Sequence, residues 1–308
     1  MKAIVNPKQV YSYTQMQQDI ELLQQGYPSL INVETIGKSV DGRSIYALKL
    51  GNGNREIFMN GAHHAREWLT TSVLMQMIDV YCQAYVQNST IGDYDPQQIF
   101  TNSCIWFVPM VNPDGVMLVQ QGYQTAKNPE RVIQINGGNK DFSAWKANIS
   151  GVDLNRQYPA GWEDIQDNPG KPQPSMYKGP HPLSEPETQA IHRFTLKHDF
   201  EMAISYHSSG EELFWQYKST GSLKRKTRSI AQKISDKTGY QLVDPGPNPS
   251  GGGYTDWFLE VMQKPAITPE ISPLVGPRPV PLENYDKIWN DHKEIGLMLA
   301  QEILKKFE

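Results

Sequence analysis

Six short stretches of the chain either alternate apolar and polar positions with period two or run continuously apolar. They cover residues 31–36, 44–50, 56–60, 104–108, 202–206 and 265–269. All are rich in β-branched or aromatic side chains, the pattern of strands. Helical spacing of apolar positions appears instead over residues 13–25, 67–86, 185–197, 223–239 and 285–307. In the first of these, Met16, Ile20 and Leu23 share one face. Before the third stands Ser184-Glu185-Pro186-Glu187, which predicts a capping box in which Ser184 accepts from the Glu187 backbone and the Glu187 side chain reaches back. Strands alternating with helices of this length predict a three-layer α/β/α fold around a twisted sheet. The first two strands, joined around Asp41-Gly42, read as a hairpin and make that sheet mixed. No internal repeat or linker-like tract interrupts the 308 residues, so one domain over residues 1–308 is expected.

Three segments, 122–148, 157–182 and 244–253, are long, polar and rich in Gly and Pro. Long connections of this kind in a compact domain are usually functional, and these are expected to wall a cleft. A net charge of −4 gives no overall attraction to nucleic acid or to anionic membranes. The basic run Lys224-Arg225-Lys226-Thr227-Arg228 falls in a helical pattern and reads as a solvated face. No apolar stretch approaches the ~20 residues that span a bilayer. The first residues lack the apolar core of an export signal. As given, the chain is therefore expected in the cytoplasm, with action at the cell wall if it is part of something longer. Two cysteines, Cys82 and Cys104, are too few for a disulfide framework and sit where free cysteine serves as a small hydrophobe.

The first chemical signal is His64-Ala65-Arg66-Glu67, between the strand ending at residue 60 and the helix beginning near 67. An imidazole three residues before a carboxylate, at a strand-to-helix turn, can aim both groups at one point, and both suit Zn²⁺. Seven histidines supply such a spacing by chance, so the pair alone is a weak signal. His207 adds to it by standing just past the strand 202–206, where α/β sheets place their ligands. Two His and one Glu, with a fourth position left to water, make the composition of a catalytic zinc site. His63 is one residue off register and is expected to point away. His192, His198 and His292 lie in helical or helix-flanking patterns, and His181 lies in a Pro-rich loop.

Gly61-Ala62-His63-His64-Ala65-Arg66-Glu67-Trp68 resembles the signature of the zinc carboxypeptidases. Further pieces follow in that family's order: Val111-Asn112-Pro113-Asp114-Gly115, Gly151-Val152-Asp153-Leu154-Asn155-Arg156, Ser205-Tyr206-His207-Ser208, Gly252-Gly253 ahead of Asp256-Trp257, and Thr268-Pro269-Glu270. The resemblance implies one zinc ion per chain on His64, Glu67 and His207, with Glu270 as general base. Asn155 and Arg156 would grip a substrate carboxylate, and Arg66 would contact substrate or the oxyanion. Lys146, after Trp145, stands where the family carries an oxyanion-stabilising arginine, and a lysine there replaces a planar fork with a point charge. Asn248 stands where digestive members carry a loop tyrosine, with Tyr254 near but off register. Thr255 takes the position that sets side-chain preference.

The run from Trp145 to Asn155 resembles a bacterial branch of the family, the γ-D-glutamyl-L-diamino acid peptidases. That resemblance implies hydrolysis of the γ-D-glutamyl–diaminopimelate bond in peptidoglycan stem peptides, by a chain favoured to act as a monomer. The alternative is a conventional metallocarboxypeptidase that removes C-terminal amino acids from peptides. A noncatalytic peptidoglycan-binding module is disfavoured because a binder has no use for Glu270.

Overall fold

The computed structural model describes residues 3–246 and 249–305. Eight strands form one mixed sheet in the order β1-β2-β4-β3-β5-β8-β6-β7. They are β1 Ile31–Lys38, β2 Ser44–Leu50, β3 Arg55–Gly61, β4 Ser103–Val108, β5 Met202–Tyr206, β6 Glu212–Phe214, β7 Gln241–Val243 and β8 Ala266–Glu270. The inner strands β4, β3, β5 and β8 run parallel, while β1–β2, β2–β4 and β6–β8 pair antiparallel. The helices are α1 Tyr13–Gly26, α2 Leu69–Gln87, α3 Pro96–Asn102, α4 Pro113–Gln121, α5 Pro129–Ile135, α6 Pro186–Lys197, α7 Gly221–Thr238, α8 Tyr254–Trp257, α9 Tyr285–His292 and α10 Ile295–Leu304.

The continuous apolar runs of the inner strands follow from burial on both faces. Ile57 and Met59 of β3, with Ile105 and Phe107 of β4, pack into the larger core beneath α1, α2, α3, α7, α9 and α10. Phe58, Cys104, Trp106 and Val108 point the opposite way, into a core closed by α6 and α8. This is the expected three-layer arrangement, and the hairpin around Asp41-Gly42 pairs as β1 and β2. A third cluster joins Val132 of α5 to Phe142, Trp145 and Ala147 and to Ala65 and Leu118, so the segment 122–148 packs a small core against the turn after β3 and against α4. The exposed Lys224, Arg225 and Arg228 lie on α7, and both cysteines are free and buried. Among the described residues, no helix is long and apolar enough to cross a membrane.

Three local expectations are corrected. The helix expected over 67–86 starts at Leu69, because residues 65–67 form a tighter 3₁₀ turn. The Thr70 hydroxyl locks that turn, accepting from Ala62 N–H and donating to the Glu67 carbonyl, each at 2.8 Å. The helix expected over 285–307 breaks in two. The Tyr81 hydroxyl captures the Lys293 carbonyl at 2.8 Å at the break, and Gly296 packs so close that a Cβ would lie 2.9 Å from the same ring. The capping box at Ser184 does not form. Ser184 Oγ bonds Gln157 and Glu185, while the Glu187 carboxylate accepts from Val40 N–H at 3.0 Å.

Candidate active site

Three adjacent parallel strands deliver the reactive groups at their carboxyl ends. β3 ends at Gly61, whose register partner on β5 is Tyr206, so the turn carrying His64 and Glu67 leaves the sheet beside His207. His207 in turn bridges Glu270 at the end of β8. Neighbouring strands of equal direction thus bring together residues over 200 positions apart, at the edge where such sheets hold ligands.

His64, Glu67 and His207 are all buried, and their ligand atoms lie within 4.8 Å of one another. Glu67 Oε1 is 2.8 Å from His64 Nδ1, and Oε2 is 2.9 Å from His207 Nδ1. The two Nδ1 atoms are 3.0 Å apart. Partners on the far side of each ring set the tautomers. His64 Nε2 faces Asp153 Oδ1 at 3.1 Å, an acceptor, so the proton sits on Nε2. His207 Nε2 faces Ser205 Oγ at 3.4 Å, and that hydroxyl already donates to Asn60 Oδ1. Both Nδ1 atoms therefore present lone pairs to each other and to a carboxylate. Three lone-pair donors aimed at one point repel unless a cation lies between them, and this N₂O donor set is that of catalytic zinc.

Beside this group opens a cavity of about 470 Å³ lined by His64, Lys146, Asp153, Asn155, Arg156, Thr255 and Glu270, with residues 243–246 and 249–251 as one wall. Burial, reinforced by the Glu67 carboxylate, pushes the Glu270 carboxyl up to about 7. Lys146 lies 3.5 Å from Asp153 Oδ2. The Arg156 guanidinium reaches Asp153 only at 3.9 Å, and otherwise donates to the Asp167 carbonyl and Met176 sulfur. Among the described residues no carboxylate engages it bidentately. Asn155 Oδ1 accepts from Tyr254 N–H at 3.0 Å. Thr255 shares a 2.9 Å hydroxyl contact with Thr268.

The sequence profile described as zinc carboxypeptidase matches residues 16–272. The chain belongs to the zinc carboxypeptidase family. It is 34% identical to γ-D-glutamyl-L-diamino acid endopeptidase 1 of Lysinibacillus sphaericus, over 96% of this chain and 73% of that protein. It is 28% identical to human mast cell carboxypeptidase A, over 78% of this chain and 58% of that one. Bovine thrombin-activatable fibrinolysis inhibitor shares the fold, with a TM-score of 0.76 at 19% identity, over 97% of this chain and 98% of that one. The zinc carboxypeptidase fold and zinc metallopeptidase class expected from the motifs are thus established.

Sequence reasoning quoted Asp153 within a motif but gave it no role. It is fully buried. Burial would raise its pKa, but Lys146, His64 and Arg156 outweigh burial and hold it well below the usual carboxylate range. One signal was available: an acid flanked by Val152 and Leu154 is a buried charge that requires partners. His63 turns from the donor set, as expected, but packs behind it. Its ring stacks 5.7 Å from His207 and its Nε2 meets Tyr158 Oη at 2.9 Å. Burial, with His207 and His64 beside it, pushes its pKa well below the ordinary value. Arg66 donates to the Ala144 carbonyl at 3.0 Å and does not line the cavity. Asn248 lies outside the described residues. Tyr254 is buried, with its hydroxyl on Thr195.

Proposed function

We propose that this zinc carboxypeptidase hydrolyses the γ-D-glutamyl–diaminopimelate amide of peptidoglycan stem peptides, with residues 1–308 acting as one catalytic domain. The observation that carries the reading is the 34% identity to a γ-D-glutamyl-L-diamino acid endopeptidase across 96% of the chain. The site supports it, since the cleft beside the zinc donor set holds a poised carboxyl and an arginine that no carboxylate among the described residues engages bidentately. His64, Glu67 and His207 would hold the ion, which when bound supplies Lewis acidity and acidifies water from pKa ~15.7 toward ~7.

The chain's own groups do the rest. Glu270 takes a proton from the attacking water and returns it to the leaving amine. Lys146 sets a positive charge beside the developing oxyanion. Arg156, with Asn155, holds the carboxylate of the released residue and so fixes the scissile bond against Glu270. Asp153 keeps the His64 Nε2 protonated and Nδ1 free.

A second reading, a conventional metallocarboxypeptidase, is favoured by the same Arg156, since any C-terminal carboxylate satisfies it. Mass analysis of products from L-Ala-γ-D-Glu-diaminopimelate and from ordinary α-linked peptides separates the two. Release of diaminopimelate from the first, without trimming of the second, is the expected result. The reverse outcome overturns the reading.

A further inference from the structure

We propose that Glu185 is a positioning residue for the reaction: from the start of α6, outside the cleft, it fastens both ends of the segment 148–157, which carries Asp153, Asn155 and Arg156. The parts of Asn155 and Arg156 rest on the function proposed above, while that of Asp153 rests on its contact with His64. Glu185 is buried and does not line the cavity, and it forms no ion pair among the described residues. A buried carboxylate without a cation is costly unless hydrogen bonds offset the loss of water. The bonds of the Glu185 carboxylate and N–H all lead to this one segment, directly or through Ser184.

At the front end, Asn148 Nδ2 donates to Glu185 Oε2 at 2.7 Å and to Glu187 Oε2 at 3.3 Å. Asn148 Oδ1 accepts from Ser150 N–H at 3.0 Å and from Val152 N–H at 3.1 Å. All four hydrogen bonds open to a primary amide are thus made, with carboxylates on one side and backbone donors on the other. The backbone closes the same turn, with Asn148 N–H on the Val152 carbonyl at 2.8 Å and Gly151 N–H on the Asn148 carbonyl at 3.0 Å. Lys146 stands two residues before this turn and Asp153 directly after it. The Lys146 carbonyl in turn accepts from Ala65 N–H, beside His64, at 3.0 Å. At the far end, Gln157 follows Arg156, and its Oε1 accepts from Glu185 N–H at 3.2 Å. The Ser184 hydroxyl lies 3.1 Å from Gln157 Oε1 and 2.9 Å from Glu185 Oε1. Gly179 leaves room for this contact, since a Cβ there would fall 2.7 Å from Ser184 Oγ.

The residues that resemble a capping box in the sequence therefore hold the site in place. Fixed at both ends, the segment keeps Asp153 Oδ1 3.1 Å from His64 Nε2 and Arg156 on the cavity wall. A displacement of ~1 Å from a change far from the chemistry can cost ~100-fold. Loosening the segment should therefore act twice, on zinc affinity through Asp153 and on KM through Arg156.

The test compares Asn148→Asp, Glu185→Ala and the paired variant Asn148→Asp with Glu185→Gln. Asn148→Asp sets a third carboxylate against Glu185 and Glu187. In the paired variant the glutamine amide donates to the aspartate, which still accepts from Ser150 and Val152. Zinc affinity by chelator competition should fall about 10-fold in each single variant, the low end for residues that support a metal ligand. KM for L-Ala-γ-D-Glu-diaminopimelate should rise alongside, and the paired variant should regain both. The proposal stands if folded single variants lose at least threefold in zinc affinity and the paired variant recovers most of that loss; any other pattern overturns it. A lowered denaturant midpoint with zinc affinity and KM unchanged, for example, would make Glu185 a packing residue only. Where Asn148→Asp does not fold, Glu185→Ala and the paired variant decide by the same measure. If wild type leaves the tripeptide intact, the function proposed above fails instead, and zinc affinity, read without substrate, still decides the part played by Glu185.

Discussion

Replacing Asp153 by asparagine should weaken zinc binding at the site without unfolding the protein. Both carboxylate oxygens are committed. Oδ1 accepts from His64 Nε2 at 3.1 Å and Asn155 N–H at 3.2 Å; Oδ2 accepts from Met176 N–H at 3.2 Å and faces Lys146 and Arg156. An asparagine must turn its NH₂ toward one of these groups. Turning it toward Lys146 and Arg156 sets a donor against two cations and a backbone N–H. Turning it toward His64 is less costly, because the imidazole can move its proton to Nδ1 and accept on Nε2. That tautomer removes the lone pair that His64 offers the metal. Loss of such a supporting partner typically costs 10–100-fold in metal affinity, or ~1.4–2.7 kcal/mol. Zinc affinity measured by competition with a chromophoric chelator should fall by that factor, while circular dichroism stays that of the wild type. Ser205→Ala, acting through the longer 3.4 Å contact to His207, should cost less. An Asp153→Asn protein that binds zinc within twofold of wild type would refute the tautomer argument.

Glu270→Gln should keep zinc and fold but lose at least ~10²–10⁴ in rate; near-normal turnover in a single-turnover assay would assign the base elsewhere. Arg156→Ala should weaken substrate binding by ~2–5 kcal/mol with zinc content unchanged, read as a rise in KM. Stability should also carry a pH signature from Glu187, fully buried near Asp114 and Glu185. Burial above all pushes its carboxyl from 4.5 up to about 8. The folded state then binds more protons than the unfolded one between those values, so the contribution of Glu187 to stability falls as pH rises from 4.5 to 8. Denaturant midpoints of Glu187→Gln should therefore gain on wild type across that window, and a constant difference would count against it.

Much of the fold is legible because the inner strands must be apolar on both faces, and β2 and β5 run over the residues that their patterns define. The misses share a physical cause. β6 and β7 are three residues each, too short to show a period of two. The helices α3, α4 and α5 have seven, nine and seven residues, about two turns, and their apolar spacing is correspondingly weak. Their starts were nevertheless written in the sequence as Asp95-Pro96, Asn112-Pro113 and Asn128-Pro129. In each, the Asx side chain accepts a backbone N–H of the first turn, and proline occupies the position that needs no donor. Read for that signature, the segment 122–148 would have appeared as a helix-bearing segment packed on the domain and not as open loop.

The site divides along a similar line. A ligand such as His64 or Glu67 is visible because its local spacing and position at a strand end restrict where it points. A residue that acts through another has no such signature, since Asp153 meets His64 across 89 positions and Ser205 reaches Asn60 across 145. What the sequence does carry is the energetic oddity of a buried charge between Val152 and Leu154, tolerable only where cations and N–H donors converge. Lys146 and Arg156, read separately as an oxyanion partner and a carboxylate clamp, both converge on that one carboxylate. The two cations proposed to face substrate thus share the acid that sets the His64 tautomer, so the metal-ligating group and the proposed substrate clamp have a single support.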